Sequence, residues 1–267
     1  VFNEDAAELK GRKKNSTPAK VVVEDQQANY KYSVVELPSN GRLGYPTEVE
    51  YRDILVKDEK ELGSASEKTF VKVLHSVLKS LLKNPDYFEE LSIYDRDYLL
   101  VWVWANSYST TKTLEVTCPH CAAKNTHVVD LTSLPVKELS EEYKNPYPFK
   151  TSSGQELTLR LLTVGDEEIA RKFCTMNKDY EESYVLLCQS VDFGVVMPLR
   201  EKIKRIEDTF TGKDMAFLRG FHSYFKYGVD HSVERECGSC GEVSRFDVPF
   251  QADFFLPTIQ DGFGKAV

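Results

Sequence analysis

Four of the six cysteines stand in pairs two residues apart, Cys118-Pro-His-Cys121 and Cys237-Gly-Ser-Cys240. A CxxC pair on a tight turn supports one of two kinds of chemistry. It supplies half of a tetrahedral metal site, or it cycles between dithiol and disulfide. The redox use sets the motif between a strand and the start of a helix. Here β-prone sequence flanks both pairs, at 114–117 and 127–131 around the first and at 232–236 and 244–248 around the second. That is the strand–knuckle–strand pattern of a zinc ribbon, and it predicts that Cys118, Cys121, Cys237 and Cys240 share one zinc ion. Gly241 supplies the permissive backbone that a knuckle needs after its second cysteine, and Ala122 takes that place in the first pair. His120, inside the turn, is expected to be exposed and not a ligand. Cys174 and Cys188 lie alone in apolar, helix-like contexts and read as small core hydrophobes.

The two pairs are far apart in the chain, so something larger must bring them together. An internal repeat supplies it. The stretch "EVEYRDILVKDEKEL" resembles "ELTLRLLTVGDEEIA", aligning Arg52 with Arg160, Val56 with Val164 and Asp58-Glu59 with Asp166-Glu167. At slowly drifting offsets, Ser64 and Glu67 then match Asp179 and Glu182 as helix-start capping boxes. Asp97 before "YLLVWVWANSY" matches Asp214 before "MAFLRGFHSYF", and the cysteine pairs match each other.

Each half therefore reads as strand, capped helix, second helix, strand, knuckle, strand. Phe70, Leu74, Val77, Leu78, Leu81 and Leu82 form one apolar helical face in the first half, with Tyr184, Leu187, Cys188 and Val191 as the counterpart. Composition alone leaves 98–105 open to being a buried strand. The helical spacing of Met215, Leu218, Phe221 and Phe225 decides for helix at both places, with Trp102 and Trp104 in the core or anchoring a buried interface. The expected fold class is α+β, two related halves joined at the four cysteines. The expected organisation is an N-terminal arm over 1–30, a first repeat over 31–147, a second over 148–258 and a flexible tail over 259–267. The arm carries "KGRKKNSTPAK", and aromatic "VPFQADFFLPT" follows the second knuckle, either tucked onto the core or docked on a neighbour.

The remaining composition narrows the function classes. A net charge of −8 argues against non-specific binding to a phosphate backbone. No apolar run is long enough to span a bilayer, no signal-peptide pattern is present, and the cysteine usage suits a reducing cytosol. The sequence has no HExxH, no P-loop and no GxGxxG. The repeated Asp-Glu pairs suit helix N-termini, where acidic side chains offset the dipole, better than catalysis. A zinc closed by four thiolates offers no open position to a substrate.

With these residues in view the chain resembles the T-even-type bacteriophage baseplate protein family, whose members are assigned to the central hub or its assembly. The resemblance lies in "LPSNGRLGYP", in the R-x-[IL]-x-x-x-D-E step that occurs twice, in "YDRDYLLVWVWANSY" and in the CPxC knuckle leading to "DL". It covers 33–135 closely and the second half more loosely; the N-terminal arm and the absence of Gly after Cys121 depart from the pattern. The resemblance implies a non-enzymatic structural or assembly subunit bound to other phage baseplate and tail proteins. Its expected place is the virion tail baseplate, and the host cytoplasm during assembly. The alternative is a zinc-ribbon nucleic-acid or transcription adaptor, which would need a basic face around Arg200, Lys202, Lys204 and Arg205. A dithiol oxidoreductase would need Cys118 as an exposed thiol of low pKa.

Overall fold

The computed structural model describes residues 30–66 and 68–248. The arm expected before Tyr30, the aromatic stretch after Val248, the tail over 259–267 and the capping role expected of Glu67 lie outside those residues. A hairpin of β1 (Tyr32–Glu36) and β2 (Glu48–Arg52) leads to helices α1 (Val56–Gly63), α2 (Phe70–Leu81) and α3 (Ile93–Ser107). The hairpin of β3 (Thr111–Thr117) and β4 (Lys124–Asp130) follows, then the short strands β5 (Val136–Lys137), β6 (Tyr147–Lys150) and β7 (Glu156–Leu159). Next come α4 (Val164–Met176), α5 (Glu182–Gln189), β8 (Val191–Asp192), α6 (Leu199–Thr209) and α7 (Gly212–Tyr224). The described chain closes with β9 (Gly228–Val229) and the hairpin of β10 (Ser232–Glu236) and β11 (Val243–Asp247). Among the described residues every sheet is small and antiparallel: β1-β2, β3-β4, β10-β11, β5-β9 and β6-β7-β8. The fold class is α+β.

Sequence dictates the helices through burial. In α2 the expected stripe of Phe70, Leu74, Val77, Leu78 and Leu81 is buried, with His75 beside it. Leu82 ends the helix in extended backbone and bridges to Tyr51 of β2. Helix α3 is apolar on most of its circumference because it runs through the core, which is why its composition also suits a strand. Trp104 is fully buried there, whereas Trp102 is only partly covered. In α5 the buried face is Val185 and Cys188; Tyr184 and Leu187 are half-buried, and Val191 lies past the helix in β8.

Two expected helix starts differ. Ser64 ends α1 as its C-cap, and Thr69 precedes α2. Glu181 precedes α5 without a side-chain cap, so Asp179 and Glu182 form no capping box. At the entry to α2 the Ser66 N–H donates to Thr69 Oγ1 (2.9 Å) and the Phe70 N–H to Ser66 O (2.8 Å). Asp214 matches Asp95 rather than Asp97: both stand third in their helix, behind Thr211 and Ser92 respectively.

Apolar side chains gather into two cores. One holds residues from Val35 to Leu134 together with Val164, Val229, Val233 and Val248. The other holds residues from Leu139 to Tyr227. The last hairpin thus returns to pack on the core formed by the first part of the chain. A second seam joins the starts of α3 and α4. Ser92 bridges to Thr163, the Ile93 N–H donates to Leu162 O (3.2 Å), and the Val164 N–H donates to Leu91 O (2.8 Å). Across the same seam Arg96 is ion-paired to Glu167, and His75 Nε2 lies 3.7 Å from that carboxylate.

Candidate metal centre

Each cysteine pair sits at the tip of a hairpin, β3-β4 or β10-β11, and the tips are folded alike. The Cys118 N–H donates to Ala123 O (2.9 Å) and the Ala122 N–H to Cys118 O (3.0 Å). In the second tip the Cys237 N–H donates to Glu242 O (2.9 Å) and the Gly241 N–H to Cys237 O (2.9 Å). Both turns end in left-handed backbone, with φ of 59° at Ala122 and 75° at Gly241. The knuckle geometry demands that conformation, and Ala122 adopts it despite its Cβ. Strand, not helix, follows Cys121, which removes the setting a thioredoxin-like motif needs.

The tips meet sulfur to sulfur. Cys118 Sγ lies 3.8 Å from Cys240 Sγ, and Cys121 Sγ lies 3.7 Å from Cys237 Sγ. All four sulfurs fall within 4.8 Å of one another. These are not disulfides, whose sulfurs would stand about 2.05 Å apart. They do match a tetrahedron of metal–thiolate bonds of about 2.3 Å, whose edges are about 3.8 Å. Cys118 and Cys237 are buried, Cys121 and Cys240 exposed. His120 is exposed, as expected, and belongs to no metal-ligand group among the described residues.

Electrostatics favour a cation at the centre. Backbone N–H groups of His120 and Cys121 aimed at Cys118 lower its thiol pKa. Those of Cys240 and Ser239, with help from Asn125, bring Cys237 down to about 6. Cys240 accepts from the Glu242 N–H, yet loss of water around its sulfur and the bonds with Cys121, Cys237 and Cys118 outweigh that bond and push it up to about 12. Four thiols this close cannot all ionise unless positive charge sits among them, and a dication supplies it. An all-sulfur tetrahedral donor set suits zinc or iron.

Asn125 escaped the sequence reading. Its Nδ2 donates to Cys237 Sγ (3.3 Å) and to Ala123 O (3.1 Å), and its Oδ1 accepts the Gly238 N–H (3.0 Å). One amide thus ties the two tips together. A single Asn in a strand after a knuckle has no local pattern that announces this. Beneath it, the His127 and Phe246 rings stack across the two hairpins with centroids 5.5 Å apart.

The other candidates have structural partners. Asp58 receives both Nη atoms of Arg52 and the Leu55 N–H. Asp166 does the same for Arg160 and for the Thr163 N–H. Both aspartates stand third in α1 and α4, so the Asp-Glu repeats are helix starts, each locked to the preceding strand. The basic face sought around α6 is divided. Lys202 Nζ turns inward to Val191 O (2.8 Å), and the Arg205 guanidinium covers the Phe193 ring. Arg200 and Lys204 remain exposed among Glu201, Glu207 and Asp208. Among the described residues no helix is long and apolar enough to cross a membrane.

Comparison with curated proteins and with solved structures finds no match. A family model described as T4 bacteriophage base plate protein matches residues 29–256, which includes both knuckles and both strand-to-helix steps. The chain belongs to that base plate family.

Proposed function

We propose that this chain is a non-enzymatic structural or assembly subunit of the hub region of a contractile-phage baseplate, stabilised by one zinc ion. Membership of the base plate family supports a structural role and other baseplate proteins as partners. The observation that carries the zinc is the meeting of Cys118, Cys121, Cys237 and Cys240 within 4.8 Å from two distant hairpins. Zinc with four thiolates has a filled coordination sphere, so it contributes folding energy and leaves no place for a reacting group. We assign Zn over iron on the strand–knuckle–strand form of the two cysteine pairs, which is that of a zinc ribbon.

We further propose that the chain arose as two related halves, 31–147 and 148–258, preceded by an arm over 1–30 and followed by a tail over 259–267. The paired Arg52–Asp58 and Arg160–Asp166 steps, the third-position Asp95 and Asp214, and the matching knuckle bonds support this reading. The protein would be made in the host cytoplasm and function in the virion tail baseplate.

A phage lacking this chain, complemented by wild-type or Cys118→Ser protein, tests the whole reading. The expected outcome is baseplate-bearing tails with the wild type only, and one zinc per purified wild-type chain by mass spectrometry. Normal tails without the chain would overturn the structural role. Zinc-free wild-type protein that complements fully would overturn the metal alone.

A further inference from the structure

The seam between α2 and α4 opens on the surface as a groove of about 340 Å³. Its floor is nearly buried: Phe88 and Val164 are each 2% exposed and His75 is 7% exposed. Five cations line it, Lys68, Lys72, Lys79, Arg171 and Lys172, against two carboxylates, Glu89 and Glu168. On a chain of net charge −8 this is a local reversal of sign.

The cations are not equally satisfied. Lys79 pairs with Glu89 (2.5 Å), Lys172 with Glu168 (2.6 Å) and Arg171 with Glu182 (3.5 Å). Lys68 and Lys72 are exposed and make no ion pair within 4.0 Å among the described residues, although Lys72 is near enough to Glu168 to help hold that carboxyl low behind its bond from Lys172. Their placement is electrostatically adverse. Helices α1, α3, α4 and α7 each carry Asp at the third position, whereas α2 has Lys72 there, no acidic residue in its first turn and no side-chain cap from Thr69. Positive charge at a helix start works against the dipole. A carboxylate brought to this spot would neutralise two lysines and complement the helix end together. An apolar side chain beside that carboxylate would cover Phe88 and Val164.

We propose that this groove docks an acidic segment of a neighbouring baseplate protein, its carboxylates on Lys68 and Lys72 and an apolar side chain against the floor. The inference rests on the baseplate role and is independent of the metal. The occupant is taken as protein rather than nucleic acid because apolar floor and cationic rim occur together, whereas a phosphate backbone needs only the rim.

Carbodiimide cross-linking with amine-reactivity mapping tests it, on the free full-length chain, on purified baseplates and on assembly intermediates. A zero-length carbodiimide joins a lysine only to a carboxylate in contact. Lys68 and Lys72 are expected to lose most of their reactivity on assembly and to cross-link to an Asp- or Glu-containing peptide of another subunit. A Lys68→Glu/Lys72→Glu variant should keep the metal content of wild type and melt no lower than it, since acid at the start of α2 suits the dipole, yet fail to enter particles. Lysines as reactive in the particle as in the free chain would overturn the groove while leaving the structural role intact. Protection abolished by nuclease would overturn it in favour of nucleic acid. Particles and intermediates alike devoid of this chain would overturn both the groove and the structural role.

Discussion

The steps from β2 into α1 and from β7 into α4 are built with the same bonds in different surroundings. In each, an arginine grips the aspartate at the third position of the helix with both Nη atoms while that aspartate caps the preceding backbone. Arg52 and Asp58 are each 4% exposed, but Arg160 is 36% exposed over a buried Asp166. A bond pattern therefore does not carry a fixed energy. What matters is what remains when one partner is removed, and water can reach Arg160 but not Arg52. At the third position of two other helices the difference lies in the number of bonds: both aspartates are buried, but Asp95 receives one O–H from Tyr45 and one N–H from Ser39, whereas Asp214 receives N–H and O–H groups from both Ser152 and Thr211.

The cysteine tips are where the two regions should behave alike, and there the largest effect is expected. Removing any one ligand, by Cys118→Ser or by Cys237→Ser, should abolish metal binding and lower stability by several kcal/mol, on the scale of structural zinc sites. A chelator acting on wild-type protein should lower the melting temperature to that of the variants. Unequal losses from the two variants would mean that the tips do not share one ion.

Next come the arginine–aspartate steps, which should behave differently. Asp58→Ala takes the carboxylate from a buried guanidinium, which keeps neutral acceptors such as the Asp53 carbonyl and the Ser80 hydroxyl, and should cost about 3–5 kcal/mol in urea unfolding. Asp166→Ala leaves Arg160 able to rehydrate and should cost about 1–3 kcal/mol. Equal losses would sink the claim that burial sets the difference.

Acid sensitivity sharpens the contrast between the third-position aspartates. Burial raises the Asp95 carboxyl above its ordinary value, more than Tyr45 and Ser39 lower it. Its stabilising contribution is therefore complete below the unfolded value of about 3.9 and is lost as pH rises through the higher folded value. For Asp214, burial also works upward, but the bonds from Thr211 and Ser152 prevail and hold it low. Its contribution is present above about pH 3.9 and is lost as pH falls through the depressed folded value. Asn at either position removes the titration. Urea midpoints measured across acid pH should change slope in opposite senses for Asp95→Asn and Asp214→Asn; a shared sign would refute the assignment.

The smallest effect separates the knuckles. Ala122→Gly should gain about 0.5–1 kcal/mol by relieving left-handed backbone, and Gly241→Ala should lose a similar amount. A Cβ at Gly241 would meet nothing closer than Glu236 Oε1 at 3.8 Å, so that loss reports backbone strain and not a clash. Thermal melts of the metal-loaded variants decide it.

Local chemistry was the legible part of this molecule. A CxxC pair between β-prone stretches names its own turn, and Gly241 after it names the backbone. The helical character of α3 was legible only through its likeness to the region of Met215, because a helix that is apolar on most of its circumference loses the polar face that gives helices their period. The starts of α2 and α5 were not legible from a capping pattern: Ser64 closes α1, Ser66 and Thr69 bond each other at the entry to α2, and Glu181 precedes α5 with no side-chain cap. The bridge of Ser92 to Thr163, the pairing of β5 with β9 and the amide of Asn125 over Cys237 were not legible at all. Each joins residues distant in the chain, and no short pattern encodes such a meeting.

The separation of the two tips has a consequence for synthesis. Cys121 and Cys237, whose sulfurs end 3.7 Å apart, are 116 positions apart in the chain. At about 5–20 residues per second of translation, the first knuckle leaves the ribosome on the order of ten seconds before the second exists. Throughout that interval the nascent chain carries two thiols whose partners do not yet exist. Nascent chains on one messenger follow each other closely, so a half-site can meet the half-site of the next copy before its own partner is made. Fidelity of assembly then depends on how quickly the last hairpin returns to the core built by the first part of the chain.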